Sequence, residues 1–297
     1  HGALGDGDAT AEWTGSESAA SATVLSHVDW NGDGVAEILY GESRTFYGAG
    51  SDNYRGRVVW LDGDGASGTS KLDDGDAEWV GDVNSDGLAS TMSSGDIDDD
   101  GYGDVIVSAS GRADTIAGGG TVYLVFGSSV GPVDGTIEKT YDVKLTGHLK
   151  GGRLGDGARP ILADFDGDGD LDLALSAYEQ ETVYVFFSAG SLVGTISTTG
   201  ADIEIQGDGS PSAFGLGLAA GDVNGDGFDE LMIGAPDDDT NDPSAHATVK
   251  GAVYVFSGAD LLAGGFTDSD ASATATGANV VDGFGQSLLT IDVDGDG

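Results

Sequence analysis

One nine-residue pattern recurs along this chain and limits what it can fold into. Asp222-Val223-Asn224-Gly225-Asp226-Gly227-Phe228-Asp229-Glu230 carries oxygen-bearing side chains at positions 1, 3, 5 and 9 and a glycine at position 6, and the apolar run Leu231-Met232-Ile233 follows at once. The pattern returns as Asp29, Asn31, Asp33 and Glu37 before Ile38-Leu39-Tyr40, as Asp96, Asp98, Asp100 and Asp104 before Val105-Ile106-Val107, and as Asp164, Asp166, Asp168 and Asp172 before Leu173-Ala174-Leu175. A fifth copy, Asp292, Asp294 and Asp296, runs up to the last residue, Gly297. Oxygens on alternate residues of a tight loop can converge on one hard cation, and a sixth-position glycine permits the sharp turn. Position 7 (Val35, Tyr102, Asp170 or Phe228) would add its backbone carbonyl. The expectation is four complete calcium sites and one partial site. The bland alternative is a set of solvated Asp/Gly turns.

The first aspartates stand at 29, 96, 164, 222 and 292, so the intervals are 67, 68, 58 and 70 residues. A period of this size is the mark of a repeat architecture in which each unit is one supersecondary element. Before each loop lies a strand of small residues: Ala22 to Val28, Thr91 to Gly95, Ala158 to Ala163, Leu216 to Gly221. The apolar strand already quoted comes after it. A third strand mixes aromatic and β-branched residues, as in Val122-Tyr123-Leu124-Val125-Phe126 and Val253-Tyr254-Val255-Phe256, and a more polar fourth follows, as in Asp202-Ile203-Glu204-Ile205. No stretch keeps a helical period over three turns. Radial repetition of four-stranded antiparallel sheets is a β-propeller.

The expected fold is therefore all-β. A single region 1–297 would be divided into repeats at about 15–80, 81–146, 147–206, 207–276 and a partial 277–297. The outermost strand of each unit is expected to be exposed. An EF-hand is excluded because its twelfth position needs a bidentate Glu, where this chain has Tyr40, Val107, Leu175 and Ile233. A nonapeptide calcium roll is excluded because no nine-residue repeat exists.

Charge narrows the class of partner. With 52 acidic and 11 basic residues the formal net charge is −41, which excludes nucleic acid and disfavours anionic membranes. Hydrophobic residues at 39% are too many for a disordered acidic tail. The absence of cysteine rules out disulfides, zinc–thiolate sites and thiol nucleophiles. An extracellular chain without disulfides needs another staple, and bound calcium supplies one. No apolar run is long enough to cross a membrane.

Phe214-Gly215, then Gly221-Asp222 with its loop, then Gly234-Ala235-Pro236, resemble the FG-GAP repeat of the integrin α-subunit propeller and its relatives. Phe284-Gly285 keeps the first dipeptide, Leu88-Ala89 and Ser21-Ala22 stand at its place elsewhere, and the unit around 164 matches there only with a change of length. Gly41-Glu42-Ser43, Ser108-Ala109-Ser110 and Ser176-Ala177-Tyr178 replace Gly-Ala-Pro. The resemblance implies calcium in the loop between the first and second strands of a blade, and a ring of about seven blades. Four would be complete here, the chain starting in the last strand of a preceding blade (about Asp8 to Thr14) and ending inside a following loop. On that footing the chain is expected to be a piece of a longer polypeptide.

Other chemistry is sparse. The histidines His1, His27, His148 and His246 share no metal-binding spacing, and His27 is expected to be packed or hydrogen-bonded. No nucleophile-elbow, zinc-protease or phosphate-loop motif occurs. Asp82-Val83-Asn84-Ser85-Asp86-Gly87 imitates a calcium loop, but its ninth position is Ser90, so it is read as an inter-blade loop without calcium. Trp60 and Trp79 are read as core; Trp13 and Trp30 could also serve as sugar platforms. The expected function is a calcium-stabilised adhesion or recognition module, extracellular or at the cell surface, with a protein or glycan ligand, self-association left open and no catalysis of its own. The alternatives are a unit of a surface layer or filament, and the propeller domain of a secreted glycan- or lipid-acting enzyme.

Overall fold

The structure, a computed structural model, describes residues 11–14, 24–43, 54–62, 68–71, 75–114, 116–209, 212–238, 250–263, 266–279 and 282–291. The partial fifth loop (Asp292, Asp294, Asp296) lies outside them. The first described strands are β1 (Ala11–Thr14), β2 (Val24–Val28), β3 (Glu37–Glu42), β4 (Arg57–Leu61), β5 (Gly68–Lys71) and β6 (Ala77–Val80). Next come β7 (Leu88–Gly95), β8 (Asp104–Ala109), β9 (Thr121–Val125), β10 (Gly135–Thr136) and β11 (Val143–Thr146). Then follow β12 (Ile161–Ala163), β13 (Asp172–Ala177), β14 (Thr182–Phe186), β15 (Gly194–Ser197) and β16 (Ile203–Gln206). The last are β17 (Gly217–Gly221), β18 (Glu230–Ala235), β19 (Ala252–Phe256), β20 (Phe266–Thr267) and β21 (Ala273–Thr276). Among the described residues, helix is confined to short turns such as Gly258–Leu261. The protein is all-β, as expected, and β-propeller-like.

Four antiparallel meanders repeat along the chain: β2-β3-β4-β6, β7-β8-β9-β11, β12-β13-β14-β16 and β17-β18-β19-β21. Each nine-residue loop joins the first strand of a meander to the second. Its ninth residue opens the second strand, so Glu37 pairs with Val28, Asp104 with Gly95, Asp172 with Ala163 and Glu230 with Gly221.

The four innermost strands line one channel of about 570 Å³, together with Leu288–Thr290. Hydroxyl groups tie them in chain order. Ser94 Oγ donates to the His27 carbonyl at 2.8 Å, Ser93 Oγ to the Pro160 carbonyl at 2.5 Å, and Thr290 Oγ1 to the Ala220 carbonyl. His27 is exposed on the channel wall, contrary to the packed role expected for it, because the inner strands turn that edge to the cavity.

The hydrophobic cores lie between neighbouring meanders. Leu39, Trp60 and Trp79 pack against Val105, Val107 and Tyr123. Ile106, Leu124 and Leu145 pack against Leu173, Leu175 and Tyr184, and Ala174, Val183 and Ile205 against Leu231, Ile233 and Tyr254. A sheet covered on both faces loses the alternation of a half-exposed strand, so every residue of β8 and β13 is buried. Trp30, Trp60 and Trp79 meet edge-to-face at centroid distances of 4.9 to 5.9 Å, which places all three in the core. The Trp13 side chain is outside the described atoms.

Two features depart from the expectation. First, the fourth strands are not uniformly exposed: β11 is wholly buried, and β6 and β16 alternate. A short strand from the next meander runs parallel along three of the four outer edges: β10 on β6, β15 on β11, β20 on β16. These added strands cover edges that would otherwise offer unpaired backbone groups. β5 pairs with β1 in the same parallel way, so β1 holds the place of a fourth strand.

Second, the Phe-Gly position of the unit around 164, to which the sequence assigned no residues, is filled, and with the change of length expected there: its first residue precedes Asp164 by ten positions, where Phe214 precedes Asp222 by eight. Leu154-Gly155 occupies it, with Leu154 buried and Gly155 at φ +78°. Leu88-Ala89 and Phe214-Gly215 do the same, with Ala89 at φ +65° and Gly215 at φ +92°. The buried residue docks beneath a left-handed residue of the preceding meander. Gly120, at φ +79°, bridges to Leu154, as Gly56 does to Leu88. A methyl group on Gly120 would lie 2.2 Å from the Leu154 backbone nitrogen. Gly120→Ala is therefore expected to cost about 2 kcal/mol or more through backbone clash and left-handed strain. Urea unfolding of the two proteins measures the difference, and equal midpoints would refute this account of the junction.

Candidate metal centres

Each nine-residue loop closes on its own side chains. The first carboxylate accepts the sixth-position N–H: Gly34 to Asp29 at 2.8 Å, Gly101 to Asp96 at 3.0 Å, Gly169 to Asp164 at 3.0 Å and Gly227 to Asp222 at 2.9 Å. The fifth accepts the seventh N–H: Val35 to Asp33, Tyr102 to Asp100, Asp170 to Asp168 and Phe228 to Asp226, all between 2.8 and 3.0 Å. The ninth accepts the second N–H: Trp30 to Glu37 at 2.8 Å, Ile97 to Asp104 at 2.6 Å, Phe165 to Asp172 at 2.8 Å and Val223 to Glu230 at 3.0 Å. Short side chains at odd positions thus hold the turn in one shape, and the sixth-position glycines take positive φ, +88° to +92°, which a side chain would oppose.

In two loops the sequence-predicted ligands come together. Oxygens of Asp96, Asp98 and Asp104 lie within 4.8 Å of one another, and so do those of Asp164, Asp166 and Asp172. Oxygens bound to one calcium ion at about 2.4 Å can be no more than about 4.8 Å apart. Asp100 and Asp168 are exposed and turned toward their own loop backbone; Asp170 is exposed too, and its backbone N–H donates to Asp168. In the other two loops the third residue is Asn. Its Nδ2 donates to the ninth-position acid, Asn31 to Glu37 at 3.4 Å and Asn224 to Glu230 at 2.8 Å, while its Oδ1 accepts from Asp33 or Asp226. Asp29, Asp33, Asp222 and Asp226 complete those loops, and no cluster of three carboxylates as tight as 4.8 Å forms there among the described residues.

The ninth-position acids are the unusual groups. Asp104 and Asp172 are completely buried, and Glu37 and Glu230 nearly so. Burial pushes Asp104 and Asp172 up to about 6; backbone N–H groups pull them down, and neighbouring loop aspartates raise them further. Glu37 and Glu230 are raised for the same reasons. The second oxygen of Asp104 accepts the Gly127 N–H at 2.7 Å, and that of Asp172 the Ser188 N–H at 2.8 Å. These donors stand just beyond the third strand, about 16 to 23 residues away, and no local pattern announces them. Among the described residues, no acid of the four loops is ion-paired with Lys, Arg or His. An all-oxygen donor set with a buried carboxylate and no side-chain counter-charge fits a hard divalent cation. Asp96, Asp98, Asp100, Asp104 and the Tyr102 carbonyl would hold it in one loop, and the matching residues in the others.

The imitation loop is built differently. Asp86 is buried and its Oδ2 meets Arg112 Nη1 at 2.8 Å. Arg112 also reaches Asp114 and Glu138, each at 2.8 Å, and Lys144 bonds the same two acids at 2.7 Å. Here a protein cation already balances the acid. Asp86→Ala should leave the number of bound calcium ions unchanged and lower stability by about 2 kcal/mol, since Arg112 loses one buried partner and keeps two. Equilibrium dialysis with radiolabelled calcium and denaturant unfolding check the two halves. Loss of one bound ion would show that loop 82–87 is a site after all.

The raised acids carry a pH dependence with a definite sign. A carboxyl whose folded value is about 6 and unfolded value near 3.8 holds its proton more tightly when folded. The metal-free protein therefore loses stability as pH rises from about 4 through 6. A cation at these loops must displace that proton, so calcium affinity at loops 96–104 and 164–172 should be about tenfold weaker at pH 5 than at pH 7. Titration calorimetry in buffers of different ionisation enthalpy tests this. Equal affinities, with no proton release at pH 5, would contradict it.

Two family descriptions match parts of the chain: the FG-GAP repeat over residues 214–256 and an FG-GAP-like repeat over residues 164–233. The chain carries FG-GAP repeats, as its sequence suggested. It is 39% identical to human phosphatidylinositol-glycan-specific phospholipase D over 161 residues, which is 50% of this chain and 18% of that protein. It is 34% identical to integrin alpha-PS2 of Drosophila melanogaster over 148 residues, 46% of this chain and 9% of that one. It is also 34% identical to integrin alpha-4 of Xenopus laevis over 153 residues, 48% of this chain and 13% of that one. The chain thus matches less than a fifth of the length of these relatives. Among solved structures, rhamnogalacturonan lyase YesW aligns with a TM-score of 0.43 at 17% identity, covering 72% of this chain and 40% of that one. The phospholipase is an enzyme by name, so this kinship leans against the expectation of a chain with no part in catalysis. Among the described residues, no helix is long and apolar enough to cross a membrane.

Proposed function

We propose that this chain is a β-propeller module stabilised by calcium at loops 29–37, 96–104, 164–172 and 222–230, working as a recognition or adhesion surface outside the cell. Its repeats, at about 15–80, 81–146, 147–206 and 207–276, are blades of a ring, and a protein or glycan is the class of ligand. One observation carries the calcium reading above the others. Buried acids sit at the ninth position of all four loops, and among the described residues no Lys, Arg or His is ion-paired with them. The similarity to integrin α subunits supports the extracellular recognition role. A second reading has support of its own: the chain is an accessory propeller of a longer enzyme. It rests on the 39% identity to the phospholipase, of which the matching part is only 18%.

Calcium is expected to be structural. Loop carboxylates about 5 Å apart repel one another by about 1 to 3 kcal/mol per pair for effective dielectrics of ~80 to ~20, and the ion reverses that repulsion at the turn between the first two strands. For an assumed affinity of ~10 μM in ~1 mM calcium, linkage contributes about 2.7 kcal/mol per site. Asp166→Ala or Asp226→Ala should then lower the melting temperature by roughly 5 to 10 °C in excess calcium and leave it nearly unchanged in chelator. Thermal unfolding is followed with calcium and with chelator at one ionic strength, which holds screening of the −41 charge constant. A wild-type melting temperature indifferent to calcium would remove the calcium reading.

A further inference from the structure

Neighbouring loops touch, and not all neighbours touch alike. Between the first and second loops, the Gly103 N–H donates to the Asp29 carbonyl at 2.7 Å. The ring of Tyr102 lies over Gly32, where a built methyl group would stand 3.2 Å from it. Between the third and fourth loops the arrangement repeats. The Asp229 N–H donates to the Asp164 carbonyl at 2.9 Å, and the Phe228 ring covers Gly167, where a methyl group would be 2.7 Å away. Asp229 adds a return bond, its Oδ2 accepting the Asp164 N–H at 2.9 Å. In loop numbering, positions 7 and 8 of one loop clamp positions 4 and 1 of the loop before it.

Between the second and third loops those links are missing. Position 7 is Asp170, not an aromatic residue; position 4 is Asp99, not glycine; position 8 is Leu171. What remains is a contact that all three interfaces share. A glycine beyond the third strand, Gly127, Gly190 or Gly258, lies against the second-position carbonyl of the preceding loop: Trp30, Ile97 or Phe165.

We infer that the four loops bind calcium as two coupled pairs, 29–37 with 96–104 and 164–172 with 222–230, and that Tyr102 and Phe228 are the positioning residues of the coupling. This rests on the calcium reading above. The linked residues are ligands or their immediate neighbours, whose backbone the ion must fix. Position 1 is a ligand, position 8 adjoins the buried ninth-position acid, and position 4 lies between two ligands. Ordering one loop of a pair therefore fixes backbone in the other and lessens the freedom the second ion must remove. The side chains of Tyr102 and Phe228 are not ligands; they act on the preceding loop through Gly32 and Gly167.

The structure also supplies a reporter in every loop. The amides of Gly34, Gly101, Gly169 and Gly227 each donate to the first-position carboxylate, so glycine-labelled protein followed by NMR during a calcium titration gives the midpoint of each site. Disabling the third loop with Asp166→Asn should move the Gly227 midpoint to at least fivefold higher calcium, while Gly101, the neighbour on the other side, moves less than twofold. Asp98→Asn should move Gly34 in the same way and spare Gly169. In a Phe228→Ala background, Asp166→Asn should shift Gly227 less than twofold; Tyr102→Ala serves the same purpose in the first pair should Phe228→Ala not fold. A Gly227 midpoint that stays put, or equal shifts at Gly101 and Gly227, overturns the pairing, the latter because coupling would then run through the whole fold. Wild-type glycine amides that ignore calcium overturn both this inference and the reading beneath it, whereas calcium binding without pairwise shifts overturns this inference alone.

Discussion

The buried acid at the ninth position of each loop is the constraint on which the rest depends. It opens the second strand of its meander, so it cannot leave the sheet without breaking the ladder to the first. It caps the loop by accepting the second-position N–H. In the two middle units its other oxygen also holds the chain leaving the third strand. Three strands therefore converge on one carboxylate. Such a group is costly to keep charged inside the protein without a counter-ion, and its raised proton affinity reflects that cost. A proton can relieve it at low pH; at neutral pH a bound cation would do so.

The same economy of position governs the junctions between units. Each third strand begins at or beside a left-handed residue, Gly56, Gly120 or Glu181, whose carbonyl accepts the N–H of Gly81, Gly147 or Gly207 after the fourth strand. Beneath it sits the buried residue of the next unit, Leu88, Leu154 or Phe214. Edge-covering strands then reach back to the outer edge of the previous meander. Docking and edge cover both act between neighbours, so most of the tertiary structure is written as one interface repeated. In such an array stability is carried by nearest-neighbour contacts, and a loop that ties two neighbours together stabilises more than its own turn.

Much of this was legible in the sequence, and the parts that were not share a cause. Loop ligands sit within nine residues of each other, and strand alternation has a period of two, so both are local signals. Asp86 could be told from a true ligand by its ninth position alone, Ser90, although its partner Arg112 could not be foreseen. The edge-covering strands were missed because they are too short for any period; β10 is only Gly135–Thr136, and its partner β6 lies more than fifty residues earlier. Burial of β11 was missed for the same reason, since it depends on β15 arriving from the next unit. Leu154-Gly155 was hidden by replacement of the aromatic residue and by two extra residues before the loop: the site demands a buried apolar side chain and then a left-handed backbone, and Leu-Gly satisfies both without resembling Phe-Gly. His27 was misjudged because an inner strand has one edge on the core and the other on the channel, and the sequence does not say which.

The distribution of positive charge completes the argument for an external cation. Of 11 basic residues, Arg57, Arg112 and Lys144 are buried and bound to acids: Arg57 to Glu42 at 2.6 Å and Glu78 at 3.0 Å, the other two to the Asp114–Glu138 pair. A guanidinium is always charged, so an acid it neutralises is neutralised under all conditions. The loops receive no such partner among the described residues. An acid balanced from solvent is balanced only while the ion is present, which makes the turn between the first two strands of each unit sensitive to the surroundings where the Arg112 network is not. Had Arg or Lys been placed at the ninth-position acids, as Arg112 is placed at Asp86, the turns would hold without calcium. On the calcium reading proposed above, leaving them unmatched would tie the stability of the array to the calcium concentration around it.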